Sequence, residues 1–291
     1  TTTKPPAWEA TYPGQPPPGT ILWGAAIGGN GDPLPRHEQP SGTTLAIRRT
    51  FFGWHHRTSG YAMRIVSEDV AAGRIPWISF KTPNWADMAA GLHDAEIDYI
   101  LRELDSVGSP VWLTIWHEPE NDLAPGQTPA THVGMNRRVR QRMEALGTKN
   151  ITLVGILMSW TWDSRSGRNP EDWWAPGIYD VLAVDHYRDG EASLVTSVWR
   201  SIRQWAAQKG IDLAVGEWGM RGTNAAAGDR VQEWYDEAAG SHADGKGARV
   251  VALSAFDSGL NSPTGSWELQ GAQLTKFHQL MNDPRSWKLP N

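Results

Sequence analysis

Glu118 and Glu217 each stand where an apolar run stops, and that placement is the first sign of chemistry in the chain. The first run, Val111-Trp-Leu-Thr-Ile-Trp116, is β-branched, aromatic and aliphatic throughout, as expected of a strand buried on both faces. It stops at His117-Glu118-Pro119, where Pro119, lacking an N–H, cannot continue a central strand. The second run, Ile211-Asp-Leu-Ala-Val-Gly-Glu217-Trp-Gly219, again carries a glutamate at its end. A carboxylate at the mouth of a buried strand is costly unless it is paired, hydrogen-bonded or used. One such glutamate reads most simply as half of an ion pair. Two of them suggest a working pair, in which one carboxyl protonates a leaving oxygen while the other attacks a carbon or activates water. Glu120 rivals Glu118 as the acid, but it lies beyond Pro119, further out in the loop, where its pKa is harder to raise.

The elements needed to position such a pair can be read from hydrophobic patterning. Apolar runs predict strands at 20–27, 44–51, 75–80, 111–116, 151–158, 181–184, 213–215 and 249–256. Helical periodicity fills the gaps between them, most clearly over 94–105, where Ile97, Ile100, Leu101 and Leu104 share one face and Asp94 is the expected N-cap. Further helices are expected over 132–146, 192–208, 229–239 and 271–281. Strands alternating with helices, with no hairpin signal, give a parallel sheet with right-handed crossovers. Eight units close it into an α/β fold of one kind, a single (β/α)8 TIM barrel. A doubly wound open sheet is the runner-up, but it usually has fewer strands and a glycine-rich first turn. Gly28-Gly29 fits no phosphate-loop pattern.

In such a barrel the active site lies at the C-terminal ends of the strands. The residues expected there are Trp54 and His55 after the second strand, Lys81 and Trp85 after the third, and His117 and Glu118 after the fourth. Trp162 follows the fifth, Asp185 and Tyr187 the sixth, Glu217 and Trp218 the seventh, and Asp257 the eighth. Tryptophan is unusually frequent, 17 of 291 residues, and flat amphipathic rings in a cleft stack against the apolar faces of sugars. Several must serve the core instead. Asp163 and Asp257 read as acceptors for sugar hydroxyls or as loop residues. His55-His56 and His186 lack metal-binding spacing, so neither metal nor cofactor is expected.

The formal charge of −5 argues against nucleic acid as a partner, and no apolar run is long enough to span a membrane. The absence of cysteine excludes a disulfide framework and thiolate chemistry. Residues 1–19, rich in Pro, Thr and Gly, are expected to form an extended linker or tail, leaving 20–291 as one catalytic domain. Residues 1–19 do not themselves have the pattern of a signal peptide, and the chain is expected to be a secreted monomer.

These residues carry a resemblance. Glutamates at the ends of the fourth and seventh strands are similar to those of clan A glycoside hydrolases, and His117-Glu118 resembles glycoside hydrolase family 26 within that clan. Gly73 to Phe80, Gly91-Leu-His-Asp94 and Asp180-Val-Leu-Ala-Val-Asp185-His-Tyr187 resemble that family's third strand, the helix after it, and the sixth strand. The resemblance implies a retaining endo-β-glycanase, with Glu118 as acid/base, Glu217 as nucleophile, Tyr187 positioning the nucleophile and His117 lining the adjacent site. It implies β-linked mannan, xylan or mixed-linkage glucan as the polysaccharide or oligosaccharide substrate. Where family members commonly read His-Glu-Met-Asn-Gly, this chain reads His117-Glu-Pro-Glu-Asn121, which leaves the choice of glycan open. A rate optimum on the acid side of neutrality is expected of such a pair. The rival readings are a non-catalytic carbohydrate-binding barrel and a metal-dependent hydrolase on the same fold.

Overall fold

The computed structural model describes residues 8–260 and 265–290. Eight strands pair in sequence order, all parallel, and the last closes onto the first. They are β1 (Leu22–Ile27), β2 (Ile47–Gly53), β3 (Ile75–Lys81), β4 (Val111–Ile115), β5 (Ile151–Met158), β6 (Val181–Arg188), β7 (Asp212–Met220) and β8 (Val250–Asp257). The chain is a single (β/α)8 barrel. Strands β6 and β7 run further than their apolar cores suggest, so Tyr187 and Glu217 lie within strands rather than beyond them. Both continue because their polar residues face the barrel mouth, which tolerates polarity that a closed core would not.

Helices Tyr61–Ala71, Trp85–Ala89, Asp94–Asp105, Pro129–Leu146, Ser197–Lys209, Ala225–Gly240 and Gly271–Met281 clothe the barrel. The β5–β6 connection has no α-helix among its described residues, only 3-10 turns at Ser159–Trp162, Ser164–Ser166 and Pro170–Trp173. Gly167, Pro170, Pro176 and Gly177 break any helical run there. The expected cap at Asp94 is corrected. His93 holds the N-cap position, and the Asp94 carboxylate accepts instead from Arg138 Nε at 2.8 Å on the neighbouring helix. Arg142 bonds Asp98 in the same way at 2.7 and 2.6 Å, so the basic face of Pro129–Leu146 is a seam between helices.

Strand residues alternate between two apolar environments. Outward side chains pack under the helices, while Ile47, Ile75, Trp77, Trp112, Val154, Ile156 and Ala183 fill the barrel itself. The N-terminal segment closes its lower end. Residues 1–7 of the expected tail lie outside the described residues, but 8–19, although free of helix and strand, dock on the barrel. Tyr12 and Gln15 donate to Asp212 at 2.7 and 2.9 Å, and the carbonyl of Pro13 accepts from Trp112 Nε1 and Thr152 Oγ1 at 3.2 and 2.7 Å. A proline-rich stretch suits this task, since its extended backbone has few N–H groups to satisfy and many carbonyls to offer. No helix among the described residues is long and apolar enough to cross a membrane.

Candidate active site

Local irregularities in two strands bring the glutamates together. Val184 pairs with Val215 but Asp185 pairs with Glu217, so Gly216 is an extra residue, a bulge that re-aims Glu217 toward the mouth. Glycine suits the position, because a Cβ at 216 would stand 2.7 Å from Asp185 Oδ1 and 2.9 Å from Ile156 Cδ1 and force both side chains to move. Tyr187, two residues past Asp185 on the same face of β6, donates its hydroxyl to Glu217 Oε2 at 2.6 Å. On β4 the chain leaves through Trp116 at φ 61° and Glu118 at φ 49°, both left-handed though neither is glycine. Such backbone costs of order 1–3 kcal/mol per residue and persists only where the surroundings hold it. Here the surroundings do. Glu118 N–H donates to the Ile156 carbonyl at 3.2 Å, and Trp116 Nε1 donates to Asp122 at 2.7 Å. The Glu120 carboxylate accepts from Met158 N–H at 2.9 Å and Thr161 Oγ1 at 2.6 Å. Glu120 is thereby a brace beneath the loop and does not line the cavity.

Glu118, Glu217 and Tyr187 line one cavity of about 920 Å³, with His117, Lys81, His56, Phe51, Phe256 and Trp267 around them. That volume is at the upper end of the usual ~300–1,000 Å³ for a ligand pocket. Beneath it lies Arg49, fully buried, its guanidinium 4.6 Å from the Phe51 ring centre and 5.1 Å from that of Trp77. Among the described residues, neither the Arg49 nitrogens nor the Asp185 oxygens have a hydrogen-bond partner. Burial, then the nearby Glu217 and Glu120 charges, push Glu118 up to about 8. Burial also raises Glu217, but Arg49, the Tyr187 hydroxyl and Lys81 oppose it. Asp185 is raised well above the carboxylate range by burial and by both glutamates. Of these three carboxyls Glu217 therefore ionises first, with Arg49 as its countercharge, while Glu118 and Asp185 keep their protons. Burial, then Arg49 and Lys81, hold His117 well below its usual pKa, so its ring is neutral; it shares a hydrogen bond with Ser79 Oγ at 3.2 Å. Lys81 reaches Asp122 at 2.5 Å and the His117 carbonyl at 3.1 Å.

Several residues expected at the site lie elsewhere. Trp218 is fully buried and stacks on Trp23, because the residue after Glu217 in a strand must face the opposite side. Trp85 is fully buried against Trp116 and His132. Trp54 packs on Phe80 and donates to Glu96 at 2.6 Å. Trp162 is half-buried edge-on against Trp205. These four rings are packing. His55 stands outside the cavity, its ring tilted against that of His56, which does line it. Asp185 is 3% exposed and lines a smaller neighbouring cavity, not the one that holds the glutamates.

Asp257 is a latch. It accepts from Arg36 Nε at 2.8 Å, faces His37 Nε2 at 2.9 Å, and caps Leu269 N–H at 2.7 Å. Burial alone would raise its pKa, but the His37 and Arg36 bonds overcome it and hold Asp257 at about 2. Asp257→Asn is expected to cost about 3 kcal/mol, lowering the melting temperature by roughly 5–10 °C. A residue that only contacted sugar would leave thermal unfolding within a degree or two.

Arg49, Phe51, Phe256 and Trp267 escaped sequence reasoning. Arg49 carried a signal, alternating with Ile47 and Phe51 on the inward face of β2, but Arg48 beside it, which bonds Asp69 at 3.0 Å on the outer face, obscured the alternation. Trp267 lies in the connection after β8, where no element is legible. Among the described residues, no group of three or more His, Asp or Glu side chains is placed to hold a metal ion.

No protein-family model matches the chain, and no curated protein matches it. Solved structures do. The GH26-CBM35 β-(1,4)-mannanase of Podospora anserina superposes with a TM-score of 0.60 at 16% identity over 92% of this chain; the chain spans 62% of that protein's length. A β-mannanase from a symbiotic protist of the termite Reticulitermes speratus, solved with a gluco-manno-oligosaccharide, gives 0.61 at 14% identity, covering 94% of this chain and 95% of the other. Bacillus subtilis mannanase man26 gives 0.61 at 14% identity, covering 93% and 86%. In fold, this chain is similar to the GH26 β-mannanase barrels.

Proposed function

We propose that the protein is a retaining endo-β-glycanase acting through Glu217 as nucleophile and Glu118 as acid/base. The observation that carries this reading is the shared cavity in which Tyr187 and Arg49 favour an ionised Glu217 while burial keeps a proton on Glu118. In the first step Glu217 attacks the anomeric carbon as Glu118 gives its proton to the departing glycosidic oxygen, leaving a glycosyl ester. Ester formation removes the Glu217 charge, so the repulsion that helped raise Glu118 disappears and its pKa falls. Glu118, now a carboxylate, takes a proton from water as that water attacks the same carbon and releases Glu217. Tyr187 steadies Glu217 throughout, and His117 and Lys81 are placed to meet sugar hydroxyls. The similar solved structures are named as mannanases, so β-mannan heads the substrates to screen, followed by xylan and mixed-linkage glucan. Such polymers are met outside a cell, which favours a secreted enzyme.

The test is product sizing on defined β-glycans, with the pH profile of kcat/KM on the best one. A bell is expected. Glu118 must be protonated and its pKa is about 8, so the rate should fall about tenfold per pH unit above 8. On the acid side it should fall as Glu217, raised above its ordinary value by burial, takes up a proton. The alkaline edge therefore lies near pH 8, and the acid edge above the ordinary carboxylate range. A rate still climbing at pH 9 would exclude Glu118 as the acid.

A further inference from the structure

Among the described residues the Glu118 carboxyl makes no hydrogen bond, so its aim depends on the backbone that carries it. That backbone is held, not relaxed, because Trp116 and Glu118 are both left-handed and such residues persist only where their surroundings fix them. The β5 side holds the turn through the Ile156 carbonyl and buried Glu120. The β3 side holds it through one residue. Lys81 ends β3, and its Nζ crosses to donate to Asp122 Oδ2 at 2.5 Å and to the His117 carbonyl at 3.1 Å. The same Asp122 oxygen accepts from Trp116 Nε1 at 2.7 Å, and Lys81 Nζ lies 4.7 Å from the Trp116 ring centre. Lys81 therefore meets the chain on both sides of Glu118, at 116, 117 and 122. An ammonium has three N–H donors, and two of them are committed to this turn.

Asp122 does not line the cavity that holds the glutamates, so it is not placed to meet a sugar there. The two side chains are 36% and 37% exposed, and an ion pair that open to water adds little to global stability. Its effect is local. We propose that Lys81 and Asp122 are positioning residues for the proton donor: their pair ties the end of β3 to the turn after β4 and holds Glu118 aimed into the cavity opposite Glu217. The inference rests on the glycanase reading. The pair also acts on Glu118 by charge. The groups that face Glu118 are Glu217 from β7, Asp185 from β6, Arg49 from β2, Lys81 from β3, and Glu120 and Asp122 from its own loop. Among them Lys81 draws the Glu118 pKa down and Asp122 pushes it up. Breaking the pair from either end loosens the same turn, yet the two ends shift Glu118 in opposite directions.

The experiment measures kcat/KM against pH on two substrates with the same donor sugars: the best oligosaccharide from the screen, and an aryl glycoside whose acidic phenol leaves without a proton. Asp122→Ala is expected to lower kcat/KM on the oligosaccharide about tenfold or more, since small displacements of a catalytic group are costly, and to leave the aryl glycoside within about twofold. Asp122→Asn, which keeps an acceptor for Trp116 and Lys81, should recover part of the loss. On the oligosaccharide the alkaline limb, near pH 8 in the wild type, should move down in Asp122→Ala and up in Lys81→Met. Equal losses on the two substrates, no loss on either, or limbs that stay put or move the same way would overturn the assignment. If the wild type cleaves neither substrate, the glycanase reading fails, and the pair is then judged by titrating the Glu118 carboxyl by carbon-13 NMR in the three proteins. Opposite shifts in the two variants would sustain the contact of the pair with Glu118. Shifts of one sign, or none, would overturn it.

Discussion

Glu217→Ala is expected to lower kcat on the order of 10⁵-fold on every substrate, however good its leaving group, because the atom that forms the glycosyl–enzyme bond is gone. The variant should still fold. Glu217 is buried, but its removal leaves Arg49 beside Asp185, a carboxyl that keeps its proton chiefly through burial and the two glutamates. With one of those charges deleted, Asp185 becomes easier to ionise beside Arg49. The same compensation does not restore activity, because Asp185 does not line the cavity that holds Glu118. Small anions offer the sharper measurement. Azide entering the space left by the carboxylate displaces the leaving group directly, and its product should carry the anomeric configuration opposite to that of the substrate. Turnover within tenfold of wild type would remove Glu217 from the chemistry.

The barrel and the two glutamates were legible in the sequence for one reason. Parallel strands buried on both faces are nearly continuous apolar runs, and a charged residue ending such a run stands out against them. Tyr187 was legible in the same way, three residues past the apolar core of β6. What stayed hidden depended on which face a residue takes once a strand bulges or a loop turns. Trp218 next to Glu217 and Trp54 next to His55 look like cleft residues, because tryptophan suits both a core and a sugar platform and adjacency in sequence says nothing about direction. Trp160 and Trp162 make the same point, two residues apart in one turn, one open to water and the other packed on Trp205. Arg49 was missed for the opposite reason: an arginine inside a barrel makes sense only once the carboxyls above it are seen. The bulge at Gly216 leaves no trace beyond a glycine, and its necessity lies in the Asp185 oxygen that a side chain would strike. The docking of 8–19 was invisible because a proline-rich composition describes the backbone's stiffness, not what its carbonyls will meet.

Glu118→Ala is expected to separate substrates by their need for a proton. On a polysaccharide, whose leaving alkoxide must be protonated, the loss should be about 10²–10⁴-fold, the usual contribution of a general acid. An aryl glycoside with an acidic phenol leaves without help, so Glu217 can still form its ester at close to the normal rate. The intermediate then waits, because nothing takes the proton from the water that should attack it. A burst of phenol followed by slow turnover is the kinetic sign. The alkaline limb near pH 8 should vanish from this variant as well, since the group responsible for it is absent. Azide needs no base, so it should speed turnover of the trapped ester. Attack on the face opposite the ester bond to Glu217 gives a second inversion and a glycosyl azide of the substrate's own configuration. The configuration of the azide product, read by NMR for both variants, therefore assigns the two carboxyls independently of any rate. Retention from Glu118→Ala with inversion from Glu217→Ala fits Glu118 as acid/base and Glu217 as nucleophile. The reverse pattern exchanges them, which would require the charge nearest Arg49 and Tyr187 to be the one that holds the proton.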